Sequence, residues 1–583
     1  MDTAEEKIGE EGRRGSALAE GLASDEDAAV LAKLGYKQEL RRNFSTLEVF
    51  GIAFSIMGLL PSIASTLSYS IPAGPVGMVW VRPPPFDLVF ANTLLSSQGW
   101  FLASTFIFIV GVAMADLGSA MPTSGGLYWW THYFASPSTR NPLSFLVGYS
   151  NTLGLVGGLC SIDYGFALMF LSVIVIAKDG TWTPSNGVVY AVFLGCVLLH
   201  GVIATLGQRV MGRLQTVFVV MNFVLIVATI IALPVGRANQ RNSRGYIFGE
   251  TQNLTSWPTG WAFMLSWLSP IWTIGAFDSC VHMSEEASNA TKAVPQGILM
   301  SIGSCWLFGF VIMIVLAACI DSNLENVLGS EFGQPMAQIY YDALGKKGAL
   351  GLMTLLFIVQ FMMGISIVVA ASRQSWAFSR DGALPFSTFF RPISKTFGYI
   401  PLRAVWGCVF LAAILGLLCL IATAAAQALF SLAVAGNNLA WGVPIFCRVV
   451  WGQEKFQPGP FYTGKLSVPI AWTAIVFLVF GIVLCMFPVE GPNPTSQNMN
   501  YTVVINCAVW GGALLYYYID ARKWFKGPKI TLNLDDLSKS QERALEAEGL
   551  QIEGIVDGRS QSIVEAQEKK EAIEKEAIEK ETS

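Results

Sequence analysis

The sequence predicts an all-α membrane protein of about 12 transmembrane helices, built as a five-plus-five inverted repeat with discontinuous helices 1 and 6. Three observations predict it. Of 583 residues, 53% are apolar and 13% charged, whereas a soluble chain carries about 25% charged residues. The apolar residues gather in about twelve runs near the roughly 20 residues that a spanning helix needs. Two of the runs, first and sixth, are broken at mid-depth by residues that a plain spanning helix excludes.

Residues 1–43 are polar and charged and lack the short apolar core of a cleavable signal, so they read as a cytoplasmic tail. The transporter domain then runs from 44 to 525, with spans near 47–71, 76–118, 143–177, 188–208, 213–233, 258–283, 297–320, 348–378, 402–423, 426–447, 468–488 and 499–519. In the first span Gly58 and Pro61 interrupt the run from Phe50 to Leu67, and Pro61 removes an amide donor and crowds the preceding turn. In the sixth, Pro270, Gly275 and Asp278 fall between Ser269 and His282. Matching interruptions in two five-helix halves are how inverted-repeat secondary transporters build a solute site near the bilayer midplane. Residues 526–583, which end in Glu/Lys repeats, read as a solvated, charged cytoplasmic tail.

Arg140, Arg209, Arg213, Lys292, Arg373, Arg380, Arg391, Lys395, Arg403, Arg448, Lys455 and Lys465 gather in the loops on one side. The positive-inside rule makes that side, and with it both termini, cytoplasmic. Sequons at Asn253 and Asn500 then face outward as glycosylation sites, while those at Asn43 and Asn289 face inward. The net charge of −4 does not suggest nucleic acid as a partner. The ten cysteines lie mostly in apolar runs without a Cys-x-x-Cys pair, so no disulfide framework and no metal site is implied. With no nucleophile elbow, phosphate loop or metal-ligand cluster in the text, neither an enzyme nor a cofactor is expected.

An unwound membrane helix leaves peptide groups that only water or a ligand can satisfy. Around Gly58, Leu59, Leu60, Pro61 and Ser62, amides at the start of a half-helix carry positive potential and suit a carboxylate. Carbonyls released around Ile274, Gly275, Ala276 and Phe277 suit an amine, with Thr273 beside them as a further candidate for the solute. Asp163 and Asp278 lie deepest among the acids, where a carboxylate is costly unless paired. Each is a candidate for the substrate amine or for a coupling proton, against the alternative of a structural anchor. Trp272 sits one turn before the second break, and Gln360, Ser372, Asn437 and Asn438 are polar positions on spans eight and ten that serve the solute or join helices. His200 and His282, isolated in apolar text, read as packed core or interface histidines, while His132 lies in the cytoplasmic loop after Gly125-Gly126, where the sequence suggests a bend and a short amphipathic helix. Glu285, Glu286, Arg380 and Asp381, at the cytoplasmic ends of spans six and eight, suit either an inner salt-bridge gate or a solvated rim.

Several segments resemble the amino acid–polyamine–organocation superfamily, and within it the fungal amino acid/choline branch that includes 4-aminobutyrate (GABA) permeases. They are Leu34 to Ser45, Phe50 to Leu67, Met121-Pro-Thr-Ser-Gly-Gly-Leu-Tyr-Trp-Trp130, Phe277-Asp-Ser-Cys-Val-His-Met-Ser-Glu-Glu-Ala-Ser-Asn-Ala290 and Ser379-Arg-Asp-Gly-Ala-Leu-Pro385. The resemblance implies a five-plus-five repeat with two further helices and import of GABA or a related amino acid by alternating access. It also implies proton symport at the plasma membrane, with sodium coupling or exchange as the alternatives to proton symport and the vacuolar membrane as the alternative location. Choline, ethanolamine or polyamine transport is the alternative substrate reading, and a non-transporting nutrient sensor the alternative of another class. Some proton-coupled relatives carry a lysine in span five, where this chain reads Val217-Phe-Val-Val-Met-Asn-Phe-Val224. That route to coupling is therefore in doubt here.

Residues 81–98 do not fit a spanning helix, since Arg82, Asp87 and three prolines separate Val76–Trp80 from the apolar run that begins at Gly99. Removing them leaves a run of 22 residues from Val76 to Ala115. The segment corresponds to 54 nucleotides, and Val81-Arg82, Ala91-Asn92-Thr93 and Gln98 have codons that spell intron donor, branch and acceptor signals. It reads as a retained intron, with a true extracellular loop as the alternative.

Overall fold

The computed structural model describes residues 27–28, 30–42, 44–79, 99–207, 210–421, 423–495 and 499–529. The segment 81–98, residue Asn43 and most of the charged tail lie outside the described residues. Within them the chain is helical, with two isolated bridges and no strand. Valine and isoleucine, poor helix formers in water, are abundant in these runs. In hydrocarbon the helix nevertheless wins, because it pairs each amide within the segment.

Among the described residues, eleven helices are long and apolar enough to cross a membrane. The stretch expected as the sixth span is instead in three pieces, Thr259–Leu265, Leu268–Thr273 and Ser279–His282, each too short to span alone. The first span is likewise divided into Thr46–Met57 and Leu59–Ser70. Its start is fixed by Glu48, whose carboxylate accepts the Ser45 amide at 2.7 Å. The long third span, Arg140–Ala177, packs against the eighth, Pro335–Arg380, and the tenth, Thr423–Val450. Small residues permit one of these crossings: a side chain at Gly436 would stand 3.1 Å from the Gly154 Cα.

Both ends of the described chain meet on one face. The Tyr36 hydroxyl and the Lys529 amide both donate to the Asp381 carboxylate. The folded unit also begins earlier than the expected boundary at 44. Asp27 accepts the amides of Asn289 and Ala290 at 2.6 and 3.0 Å, Gln38 donates to the Glu285 carbonyl, and Leu31, Tyr36 and Leu40 are buried. Residues 27–44 thus cover the terminal face of the bundle.

The second span differs from expectation. Trp100–Ala120 supplies 21 residues by itself, while Gly74–Met78 is a separate short helix continuing from the first span. Val76–Met78 is therefore not needed to complete the second span. The two flanks of the excluded segment nevertheless touch, since a Cβ on Gly99 would lie 2.2 Å from the Gly77 carbonyl oxygen. Joining Trp80 to Gly99 is thus expected to preserve membrane insertion and the melting temperature, measured by fluorescence-detected size exclusion of both forms. An aggregated deletion form, or a dominant transcript that keeps the segment, would refute the intron reading.

The expected outward sequons differ in chemistry. Asn253 gives one hydrogen from Nδ2 to the Trp257 carbonyl, leaving the other free. Asn500 gives both, to the carbonyls of Cys485 and Phe487. A glycan replaces one amide hydrogen, so Asn253 is expected to be modified and Asn500 not. Endoglycosidase treatment should sharpen and shift the gel band of the wild type and of Asn500→Gln, but not of Asn253→Gln.

Candidate solute-binding site

The first break turns on Gly58, which adopts φ 39° and ψ 66° in the left-handed region. Its amide still closes the first half-helix on the Phe54 carbonyl, and Ser62 begins the second by donating to the Gly58 carbonyl. The Leu59 and Leu60 amides donate to no described backbone carbonyl, as expected of a helix start. The Ser62 hydroxyl folds back to the Met57 carbonyl at 2.6 Å.

In the second break the last backbone bond of the first piece runs from Ile274 to Pro270. Ala276 then takes φ 57°, a strained value for a residue with a Cβ. The carbonyls of Ala276 and Phe277 accept from Ser279 and Cys280, so those left without a backbone partner belong to Ile271 through Gly275, two to three residues earlier than the sequence suggests. The two breaks are tied by the hydroxyls of Thr66 and Ser269, 2.9 Å apart.

Between them lies a cavity of about 40 Å³. One water needs roughly 10–15 Å³, so the space takes a few waters or one small solute. Of the expected residues, Ser62, Trp272, Thr273, Gly275, Ala276 and Asn437 line it, while Gly58, Leu59, Leu60, Pro61, Ile274 and Phe277 shape the breaks behind it. Thr273 Oγ1 and Trp441 Nε1 are buried on this lining without a partner. Such atoms point to a ligand or water that satisfies them. Sequence reasoning missed Met57, Gly158, Ile162, Ile367 and Trp441, which are apolar or aromatic residues in apolar runs. Only the Asn437-Asn438 pair marked span ten as part of the wall.

Asp163, Asp278 and Gln360 do not line the cavity. The Asp163 carboxylate is buried against His200 on span four, with Oδ2 to Nδ1 3.1 Å and the Cys196 sulfur 3.7 Å from the ring's other nitrogen. Gln360 donates to the Ile162 carbonyl at 2.8 Å, and Ser372 to Val369. Asp278 accepts from Asn151 at 2.8 Å and meets His282 at 3.3 Å. His132 sits on the short helix Gly126–Phe134, 3.0 Å from Asn141.

Glu285, Glu286, Arg380 and Asp381 are all buried, in a cluster of charged groups. Arg380 grips Glu285 through two bonds, at 2.8 and 3.0 Å, and Arg373 holds Glu286 at 2.7 Å. The Arg380 guanidinium also stacks 4.0 Å over the Tyr36 ring. Burial raises the Glu285 carboxyl, but the Arg380 charge and bonds from Arg380, Ser124 and Thr123 overcome it and leave Glu285 below the usual carboxylate range. Burial pushes Asp381 up despite Arg380 and the hydroxyls of Tyr128 and Tyr36.

A bundle of membrane helices enclosing an uncharged cavity between two interrupted spans has the build of a solute carrier. The chain belongs to the amino acid permease family, whose sequence pattern matches residues 44–510. The GABA-specific permease of Saccharomyces cerevisiae is 45% identical over 519 residues, covering 88% of each chain. An amino-acid permease of Arabidopsis thaliana is 30% identical over 514 residues, covering 85% of this chain and 95% of the relative. The match to a solved manganese transporter of Eremococcus coleocola covers 84% of this chain and 95% of that one, at 13% identity and a TM-score of 0.49. The protein is an integral membrane amino acid transporter and not an enzyme.

Proposed function

We propose that the protein imports GABA or a closely related zwitterionic amino acid by proton-driven alternating access, at the plasma membrane, with both termini cytoplasmic. The observation that carries the substrate class is the lining itself, which offers unpaired carbonyls near Ile271–Gly275, half-helix amides behind Ser62, and no charged side chain. A zwitterion meets both ends of such a site with fixed dipoles. A polyamine or choline brings net positive charge without a carboxylate, and here both nearby acids face away from the cavity. The identity to the yeast GABA-specific permease supports the same choice. Orientation is supported by Tyr36 and Lys529, near the two ends of the described residues, which both bond to Asp381 on the face that carries Arg140, Arg391 and Arg403.

Radiolabelled GABA uptake in a permease-deficient yeast, competed with choline, putrescine and neutral amino acids, tests this. GABA accumulation blocked by unlabelled GABA but not by choline is expected. Uptake of choline alone would overturn the substrate class, and binding without accumulation would favour a sensor.

A further inference from the structure

Asp278 and His282 lie one turn apart in the second half of the sixth span, both wholly buried, with Oδ2 and Nε2 3.3 Å apart. The other ring nitrogen, Nδ1, lies 3.0 Å from the Ser124 carbonyl oxygen. A carbonyl only accepts, so Nδ1 carries a hydrogen. Nε2 then meets the carboxyl group in one of two ways. Either it too carries hydrogen and the ring is imidazolium beside a carboxylate, or its lone pair accepts from a protonated carboxyl. Both states hold one proton more than a neutral ring beside an ionised Asp278. Without that proton a lone pair faces a carboxylate in a site shut off from water, which burial penalises.

We propose that this shared proton is the coupling proton of transport, held between Asp278 Oδ2 and His282 Nε2 while the terminal face is shut and released to water when that face opens. The inference rests on the proton-driven reading of uptake given above. On release the proton leaves to bulk water, and the pair becomes a neutral imidazole beside a hydrated carboxylate. No other bond changes.

The pair stands between the solute site and the gate. Asn151 Nδ2 donates to Asp278 at 2.8 Å and reaches Asn437 Oδ1, on the cavity wall, at 3.4 Å. On the other side the Ser124 amide donates at 3.0 Å to Glu285, which Arg380 holds. Charge at the pair is thus transmitted through one residue in each direction. The other buried pair lacks the same requirement. His200 faces Asp163 with one nitrogen and the Cys196 thiol, itself a donor, with the other, so a neutral ring satisfies both.

The charged groups nearest the pair neutralise each other: Glu285 with Arg380 and Glu286 with Arg373. Cys280 is the titratable neighbour on the same segment. On the elements packed around it, Glu48 caps Ser45, Lys292 is exposed, Arg448 pairs with Asp116, and Asp163 pairs with His200. Tyr128 is committed to Asp381.

The test uses the full chain in liposomes with radiolabelled GABA, comparing accumulation driven by an inward proton gradient with counterflow exchange at equal pH. In His282→Gln and Asp278→Asn the ratio of driven accumulation to exchange should fall at least tenfold, and accumulation should lose its pH dependence. Wild type that ignores the gradient would overturn proton coupling itself. Gradient-driven wild type with an unchanged ratio in His282→Gln would overturn only this site. Should a single variant misfold, Asp278→Asn combined with His282→Gln keeps donor facing acceptor and gives the same readings: a lost ratio supports the site, a kept one refutes it.

Discussion

Replacing Arg380 by Met is expected to abolish accumulation while leaving the protein in the membrane. The guanidinium and Glu285 are both buried, and their two bonds exist only while Glu285, at the end of the sixth span, and Arg380, at the end of the eighth, are together. Removing one partner of a buried pair leaves the other charge uncompensated, at a cost of about 3–5 kcal/mol. If that cost falls on the shut state alone, the balance between shut and open terminal faces moves by roughly two to four orders of magnitude. The chain would then rest open toward its termini and fail to reset. Arg380→Lys keeps the charge but not the two-pronged fit, so it should be intermediate. Glu285→Gln combined with Arg380→Met removes both charges and should recover the melting temperature lost by either single change. Cysteine accessibility from the terminal face would report the shift. Equal labelling and equal uptake in wild type and Arg380→Met would refute the gate.

Acidification should not mimic this variant. The folded Glu285 carboxyl lies below its unfolded value, so its contribution is complete above the unfolded value and is lost only as pH falls through the folded one. Over the mildly acidic range in which a proton-driven importer works, the Glu285–Arg380 pair therefore stays charged. A response of uptake to pH in that range therefore does not come from Glu285, and the proposal above assigns it to the Asp278–His282 pair, 3.3 Å apart.

What the sequence disclosed and what it hid follow from the range of each interaction. The breaks at Gly58 and near Gly275 were legible because proline and glycine act on their own turn of backbone. Gate residues were legible as charges at helix ends, but their burial was not. It depends on residues 27–44 folding back over them, and nothing in the spacing of Tyr36 or Gln38 signals Asp381 or the Glu285 carbonyl as a partner. Asp163 shows the limit most clearly. Its depth marked it as costly, yet the helical face it occupies, and the pairing with His200 across 37 residues of sequence, leave it off the cavity wall. The apolar wall was invisible for a further reason: Met57, Ile162 and Ile367 on a cavity look the same in sequence as on a core.

Gly58→Ala should reduce the initial rate of uptake at least tenfold. Two costs meet at this position. A residue with a Cβ in the left-handed region loses about 1–2 kcal/mol, and the added carbon would lie 2.0 Å from the Met363 sulfur, which must move. Since 1.4 kcal/mol is about tenfold in an equilibrium, strain alone suffices to push the break out of its present shape, and with it the amides behind Ser62. The two costs are separable. Met363→Ala added to Gly58→Ala removes the clash and leaves the backbone strain, so uptake should return only in part. Ala276, at φ 57° in the other break, already bears such strain. Ala276→Gly should relax it, offset by the greater freedom of glycine in the unfolded chain, so the melting temperature should scarcely change. Full rescue of Gly58→Ala by the Met363 change, or a fall in melting temperature for Ala276→Gly as large as for Gly58→Ala, would mean that left-handed backbone is not what holds the two breaks open.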